Sequence, residues 1–292
     1  MRGGEKELGS FVFAAVLFAA ACHAGWNAAI KTGLDPLSST VLITTGAGLV
    51  SLALLPFAGL PPAEAWPWVI ASVVIHLFYF IGLSEAYRTG DLGQVYPLAR
   101  GSAPLMTAGV TTLVLGERLG LTGWAGIVIL AAGVLLLSLR GGRLLQPPDR
   151  RAVLFALFTA LTICLYSIVD GIGGRTAGNP HPYTLAMFIG NALVMIVYFA
   201  FRRGPAGLTS ASRAVSRSWP VGLVGGSMQL LSYGIVIWAM TLAPIALVAA
   251  LRETSVLFGA MIAVVFLKEP MRPARIMAAL MIVTGLMLIR LS

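Results

Sequence analysis

Two arginines pose the chemical question. Arg100 stands in the otherwise apolar stretch 92–115, LGQVYPLARGSAPLMTAGVTTLVL, and Arg252 stands in a second apolar stretch 152 positions later. A charge at the centre of a bilayer costs about 3 kcal/mol or more, so an arginine at that depth faces protein or water and is a candidate functional group by default. A guanidinium presents a planar fork of donors that fits a carboxylate. Rings able to hold an apolar body recur in the same apolar runs as Trp26, His76, Tyr79, Tyr96, Tyr166, Tyr233 and Trp238, while Glu253, Asn27 and Gln229 are candidate acceptors for an ammonium. Together these twelve residues are the candidate substrate-binding set. The competing reading of the arginines is internal pairing, Arg252 with Glu253 or Asp170 and Arg100 with Glu85, which would brace the packing.

The elements that must carry these residues follow from composition. The 292 residues are 58% hydrophobic and 11% charged, with mean hydropathy +0.90, whereas soluble globules carry about 25% charged residues. A membrane helix needs about 20 mostly apolar residues, and such windows occur at 9–31, 36–57, 66–88, 92–115, 121–140, 151–172, 182–201, 216–240, 244–267 and 271–291. The chain therefore reads as an all-α polytopic membrane protein of ten spans with no soluble domain. A shift of 152 positions lays Arg252 on Arg100, Leu257 on Leu105, Ala260 on Ala108, Leu267 on Leu115, Glu269 on Glu117 and Gly285 on Gly133 without a gap. The chain is thus expected to be two repeats, 1–143 (spans 1–5) and 151–292 (spans 6–10). Five spans is an odd number, so the second repeat must lie inverted, an arrangement that places a transporter's site near the midplane between the repeats. Arg100 and Arg252 each fall about 12 Å from opposite faces at 1.5 Å per residue.

The formal charge of +9 is explained by topology rather than by nucleic acid. Thirteen basic residues fall at the span ends of one side, and Arg2, Lys6, Arg118, Arg175 and Arg290 at the other. The positive-inside rule then puts both termini outside, in a cell inner (plasma) membrane, with the first apolar run a retained helix. Cys22 and Cys164 lie within apolar runs and read as packing residues. His23, Asn27 and Lys31, four residues apart, share a face of span 1. Thr44, Thr45, Gly46, Gly48 and Ser51 read as a close-packing face of span 2, as do Gly222 and Gly226 in span 8. Span 5, with Gly123, Gly126 and Gly133, reads as a dimerisation or scaffold element, although the chain as a whole is expected to be a monomer. Pro97 and Pro104 point to irregular backbone in span 4, and 140–151 and 202–217 read as basic links.

An intramembrane enzyme acting on lipid would need paired carboxylates for a metal, a His-x-x-x-His pair or a Gly-x-Ser-x-Gly nucleophile with its base. His23, His76 and His181 are scattered and the carboxylates within spans are single, so no enzyme and no cofactor is expected. The Gly-x-x-x-x-Gly-Lys loop that would bind ATP is also absent. Glu253, Asp170 or a histidine could carry a proton, but facilitated or exchange transport needs none and is the expectation.

The duplication, the Gly116-Glu117-Arg118 and Lys268-Glu269-Pro270 turns, the Gly133 and Gly285 pair and the run His23-Ala-Gly-Trp-Asn-Ala-Ala-Ile-Lys31 resemble the drug/metabolite transporter superfamily, specifically its EamA-type members. The resemblance spans nearly the whole chain. It implies a basket in which spans 1, 3, 4, 6, 8 and 9 line a central cavity while spans 5 and 10 stand apart. Relatives of this type include exporters of amino acids, aromatic ones among them, and carriers of sugars, nucleotide sugars and drugs. The expected function is export of small amphipathic metabolites, amino acids foremost, by alternating access. The alternative cargo is an anionic metabolite or nucleotide sugar. Many relatives are expected to keep their termini in the cytoplasm, opposite to the charge count here.

Overall fold

Long apolar runs can bury their backbone N–H and C=O groups in lipid only by pairing them internally, and a helix does this within one segment. The computed structural model describes residues 9–29, 35–89, 92–139, 150–265, 268 and 273–292, and its regular elements are all helical. They are α1 (Ser10–Ala29), α2 (Pro36–Ala58), α3 (Trp66–Thr89), α4 (Leu92–Val114), α5 (Leu121–Leu139), α6 (Arg150–Thr176), α7 (Pro180–Arg217), α8 (Trp219–Leu242), α9 (Ile245–Arg252), α10 (Ser255–Val265) and α11 (Pro273–Arg290). Among the described residues, seven segments are long and apolar enough to cross a membrane, one of them the Ile245–Val265 stretch made by α9 and α10, and Ser10–Gly25 and Leu121–Leu137 are shorter apolar helices. Large apolar side chains such as Phe57 (88% exposed) and Leu113 (87%) line the outside, which suits lipid rather than water. This is a polytopic membrane protein.

Glycines decide how closely the helices approach. A Cβ at Gly46 of α2 would collide with the Gly222 carbonyl of α8, and one at Gly226 would collide with the Ala47 N and the Gly46 C of α2. Backbone meets backbone here, as the small-residue faces lead one to expect. Gly126 and Gly133 of α5 receive Ile289 and Ile282 of α11, and Gly285 of α11 receives Leu130. The glycine face read as a dimerisation or scaffold element in span 5 is used inside the chain, against α11. Elsewhere α2 packs on α7 and α8, α3 on α6 and α7, α4 on α5 and α6, and α1 on α8, α9 and α10.

Two further expectations are corrected. The segment 202–217 is not a loop: α7 continues through it to Arg217, bent at Gly204 with φ 63°. Glycine alone adopts that conformation without strain, and Pro205 then supplies the fixed φ suited to a new first turn. Irregular backbone was expected in span 4 from its two prolines, yet α4 is continuous and the break lies in its counterpart. There Glu253 N–H donates to Ala250 O (3.0 Å), Thr254 N–H to Leu251 O (3.1 Å) and Val256 N–H to Glu253 O (3.0 Å), a tightened turn between α9 and α10. Pro104 has no N–H to give the Arg100 carbonyl, and Val256 turns its own away from the Arg252 carbonyl. Equivalent carbonyls thus lose their i+4 donor by two different routes.

Candidate functional site

The break after α9 leaves Glu253 pointing where α4 crosses. Arg100 Nε lies 2.7 Å from Glu253 Oε2, although the two are not aligned for a hydrogen bond, and Arg100 Nη2 donates to Ser255 Oγ at 2.7 Å. Arg252 Nη2 lies 4.0 Å from Glu253 Oε1 and donates to Tyr166 Oη at 2.6 Å. Arg100 is 3% exposed, Arg252 5% and Glu253 1%. One buried carboxylate therefore serves two buried guanidiniums. Such clusters persist where their geometry is satisfied, and this one is incompletely so: Arg252 Nε and Glu253 Oε2 are buried without a hydrogen-bond partner.

The Arg252 guanidinium carbon sits 5.4 Å from the Tyr166 ring centroid and 5.5 Å from that of Tyr233, within cation–π range. His76 stacks on Tyr166 at 4.4 Å and 21° and meets Tyr233 edge-on at 5.9 Å, while Tyr79 meets Tyr166 edge-on at 5.7 Å. His76 Nδ1 is 2.9 Å from the Ser72 carbonyl. A carbonyl only accepts, so Nδ1 carries the hydrogen and Nε2 is left as an acceptor. Below the rings, Tyr233 and Tyr183 donate to the two oxygens of Asp170, the latter at 2.8 Å. Asp170 is 0% exposed. The formal charges of Arg100, Arg252, Glu253 and Asp170 sum to zero. His23 of α1 lies within electrostatic reach of both arginines.

Of the sequence-derived candidates, Arg100, Arg252, Glu253, Tyr166, Tyr233, His76 and Tyr79 come together. Gln229 lies one turn before Tyr233 on the same face of α8, its Oε1 buried without a partner. Trp238 does not join them; its ring meets Phe11 edge-on at 5.8 Å, and Phe11 faces outward. The side chains of Trp26, Asn27 and Tyr96 lie outside the described residues, as does Lys31. The competing reading, Arg100 paired with Glu85, rests on a side chain outside them too; among the described residues Arg100 meets Glu253 and Ser255. Asp170 bonds two tyrosines rather than Arg252. Sequence reasoning missed Tyr183 and Ser255, whose hydroxyls carry no periodicity signal in an apolar run.

A second polar cluster stands at the end of the bundle where α4, α6 and α8 finish and α9 begins. Glu117 Oε1 accepts from Ile245 N–H (2.8 Å) and Oε2 from Ala246 N–H (3.3 Å), capping α9. Arg175 pairs with Glu117 at 3.2 Å and donates to the carbonyls of Met240 (2.8 Å) and Ala243 (2.9 Å). The Gly116-Glu117-Arg118 turn, one of the motifs that carry the resemblance, thus forms a clasp on the span bearing Arg252 and Glu253. Among the described residues no group of His, Cys, Asp and Glu could hold a metal ion.

The fold has a solved counterpart: one crystal structure superposes with TM-score 0.74 at 20% identity, over 96% of this chain and 98% of the other. Among curated proteins, the spermidine export protein MdtI of Klebsiella pneumoniae is 36% identical over 70 residues, 24% of this chain and 64% of that protein. The multidrug resistance protein EbrB of Bacillus subtilis is 37% identical over 76 residues, 26% of this chain and 63% of that protein. The chain thus spans less than two thirds of the length of these relatives. The model of the EamA-like transporter family matches twice, over residues 10–139 and 150–291. With nearly its whole length matched in this way, the chain belongs to the EamA-like transporter family.

Proposed function

We propose that this transporter exports small amphipathic metabolites, amino acids foremost, across the inner membrane by alternating access around the Arg100–Glu253–Arg252 cluster. The observation that carries the reading is the convergence of arginines from both halves of the chain on one buried carboxylate, beside aromatic rings in stacked and edge-on contact. A substrate carboxylate would meet the guanidiniums, its apolar side chain the rings of His76, Tyr79, Tyr166 and Tyr233, and its ammonium an acceptor such as Glu253 or Gln229. Trp26, Asn27, Tyr96 and Trp238 remain assigned to the cavity on sequence grounds alone.

Ten crossings in two inverted repeats, 1–143 and 151–292, follow if α9 and α10 form one discontinuous span. The double family match supports this. So does the packing: exchanging the halves turns the α1–α8 contact into α6–α3 and the α2–α8 contact into α7–α3, and leaves α2–α7 and α5–α11 unchanged. Discontinuous spans at a repeat interface are a transporter device. The charge count puts both termini outside; a C-terminal reporter active only in the cytoplasm should stay dark, and activity would invert the assignment.

A cationic cargo is the second reading, favoured by the names of the spermidine and multidrug relatives and by the Asp170 carboxylate between two tyrosines. Uptake of radiolabelled amino acids and spermidine into liposomes separates the two. The first reading expects saturable amino-acid flux that disappears in folded Arg100→Ala or Arg252→Ala protein. Spermidine flux without amino-acid flux would establish the second, and amino-acid flux unchanged in both variants would make the arginines structural braces.

A further inference from the structure

Glu253 occupies the place where a substrate carboxylate would be held, and it occupies it imperfectly. It contacts both arginines, but its Oε2 has no aligned donor and Arg252 Nε has no acceptor. Buried polar atoms left unpaired in a native site call for an explanation. Glu253 also lies in the break between α9 and α10, where its backbone is held by short-range turn bonds rather than by a continuous helical ladder. Small torsional changes there can swing the side chain without unwinding either helix.

We propose that Glu253 is a resident stand-in for the substrate and that binding is an exchange. The incoming carboxylate takes the place of Glu253 on Arg100 and Arg252, supplying the acceptor that Arg252 Nε lacks. The released Glu253 carboxylate turns to the ammonium of the same molecule. No bond is made or broken and no proton moves. The exchange rests on the proposed function and narrows it to one charge class. Among the described residues the charges gathered here, Arg100, Arg252, Glu253 and Asp170, sum to zero before binding, and a zwitterion leaves the sum at zero. A monoanion leaves one buried negative charge in excess and a monocation one positive, which a water-excluded site strongly resists. The site therefore selects net-neutral amino acids through Glu253, and the aromatic cluster of His76, Tyr166 and Tyr233 favours those with a planar side chain.

The test is calorimetric binding to the purified full-length protein of three probes with one shape and three charges: L-phenylalanine, 3-phenylpropionate and 2-phenylethylamine. Wild type is expected to prefer phenylalanine to both. Glu253→Gln shifts the site by one positive charge, and the affinity ratio of phenylpropionate to phenylalanine should rise about a hundredfold, the scale of one uncompensated buried charge. Arg100→Gln shifts it the other way and should raise the ratio of phenylethylamine to phenylalanine; it decides the matter alone if Glu253→Gln fails to elute as one folded species. Glu253→Asp, which conserves charge, should keep the wild-type ranking. A folded Glu253→Gln protein that keeps that ranking, or loses all three probes in proportion, overturns the exchange while amino-acid flux in liposomes would still stand. A wild type that binds none of the three overturns both.

Discussion

Replacing Glu117 by alanine probes whether the clasp at the start of α9 stabilises the fold. The carboxylate satisfies two first-turn N–H groups of α9, at 2.8 and 3.3 Å, and neutralises Arg175 at 3.2 Å. Losing a cap of this kind costs about 1 kcal/mol. The Arg175 pair is partly exposed, so its share is no more than about 1 kcal/mol. The sum is about 2 kcal/mol, which for a chain of this size lowers the unfolding temperature by about 3 °C. Glu117→Gln keeps a carbonyl for one N–H and loses the charge, so its shift should be about half as large. The assay is thermal unfolding of detergent-purified protein followed by tryptophan fluorescence, with Arg175→Ala and the double variant completing a cycle. Arg175 also holds the Met240 and Ala243 carbonyls, so its single substitution should cost as much as that of Glu117, and the double variant less than the sum of the two. Full additivity, or a Glu117→Ala protein that melts with wild type, would refute the clasp.

Gly226→Val should abolish folded protein, because the new Cβ meets backbone atoms of Gly46 and Ala47 and neither can move aside; Gly109→Ala, with no atom within 4 Å of its Cβ, should gain about 0.5 kcal/mol. Size-exclusion profiles check both, and equal behaviour would contradict the close α2–α8 crossing. Asp35 caps α2 through Ser38 N–H (3.2 Å) and Ser38 Oγ (2.6 Å), and it pairs with Arg203 at 2.7 Å. Burial acts to raise its carboxyl, but Ser38 and Arg203 outweigh burial and hold it below the usual carboxylate range. Its folded value is therefore lower than its unfolded one, so its contribution is complete above about pH 4 and fades as pH falls further. Asp35→Ala should cost about 1 kcal/mol at neutral pH and flatten the acid limb of a stability profile; an acid limb identical to wild type would refute the assignment.

How much of the site was legible in the chain depends on whether the relevant contact is local. Arg100 and Arg252 stand out because each interrupts an apolar run, and their shared offset leads one to expect a duplication without any knowledge of packing. The aromatic cluster was partly legible, since His76 and Tyr79 lie on one turn of α3 and Tyr166 stands near Asp170 on α6. What the chain hides is who meets whom across helices. Arg100 and Glu253 are 153 positions apart, and only the crossing of α4 with the α9–α10 turn makes them partners. The position of the break was hidden for a different reason. Proline advertised disorder of the ladder in α4, but a continuous helix tolerates the missing N–H of Pro104, while its counterpart, without proline, breaks where Glu253 needs freedom to reach two arginines. Trp238 shows the limit of composition, because a large aromatic in an apolar run suits a ligand, a core or the lipid boundary equally well, and only the fold reveals that its ring meets outward-facing Phe11.

These details bear on how a bilayer tolerates four formal charges at once. Each alone would be costly at that depth, and pairing recovers the cost only when every partner is satisfied. Here the charges balance in number, but the hydrogen bonds do not close. Arg252 Nε has no hydrogen-bond partner, and Glu253 Oε2, although 2.7 Å from Arg100 Nε, has no aligned donor; under the exchange proposed above, a molecule with one carboxylate and one ammonium completes both. A site whose sole purpose was to brace the bundle would gain by closing those hydrogen bonds itself. That these bonds stay open beside the break between α9 and α10 is the physical argument for a site that holds its cargo and lets it go.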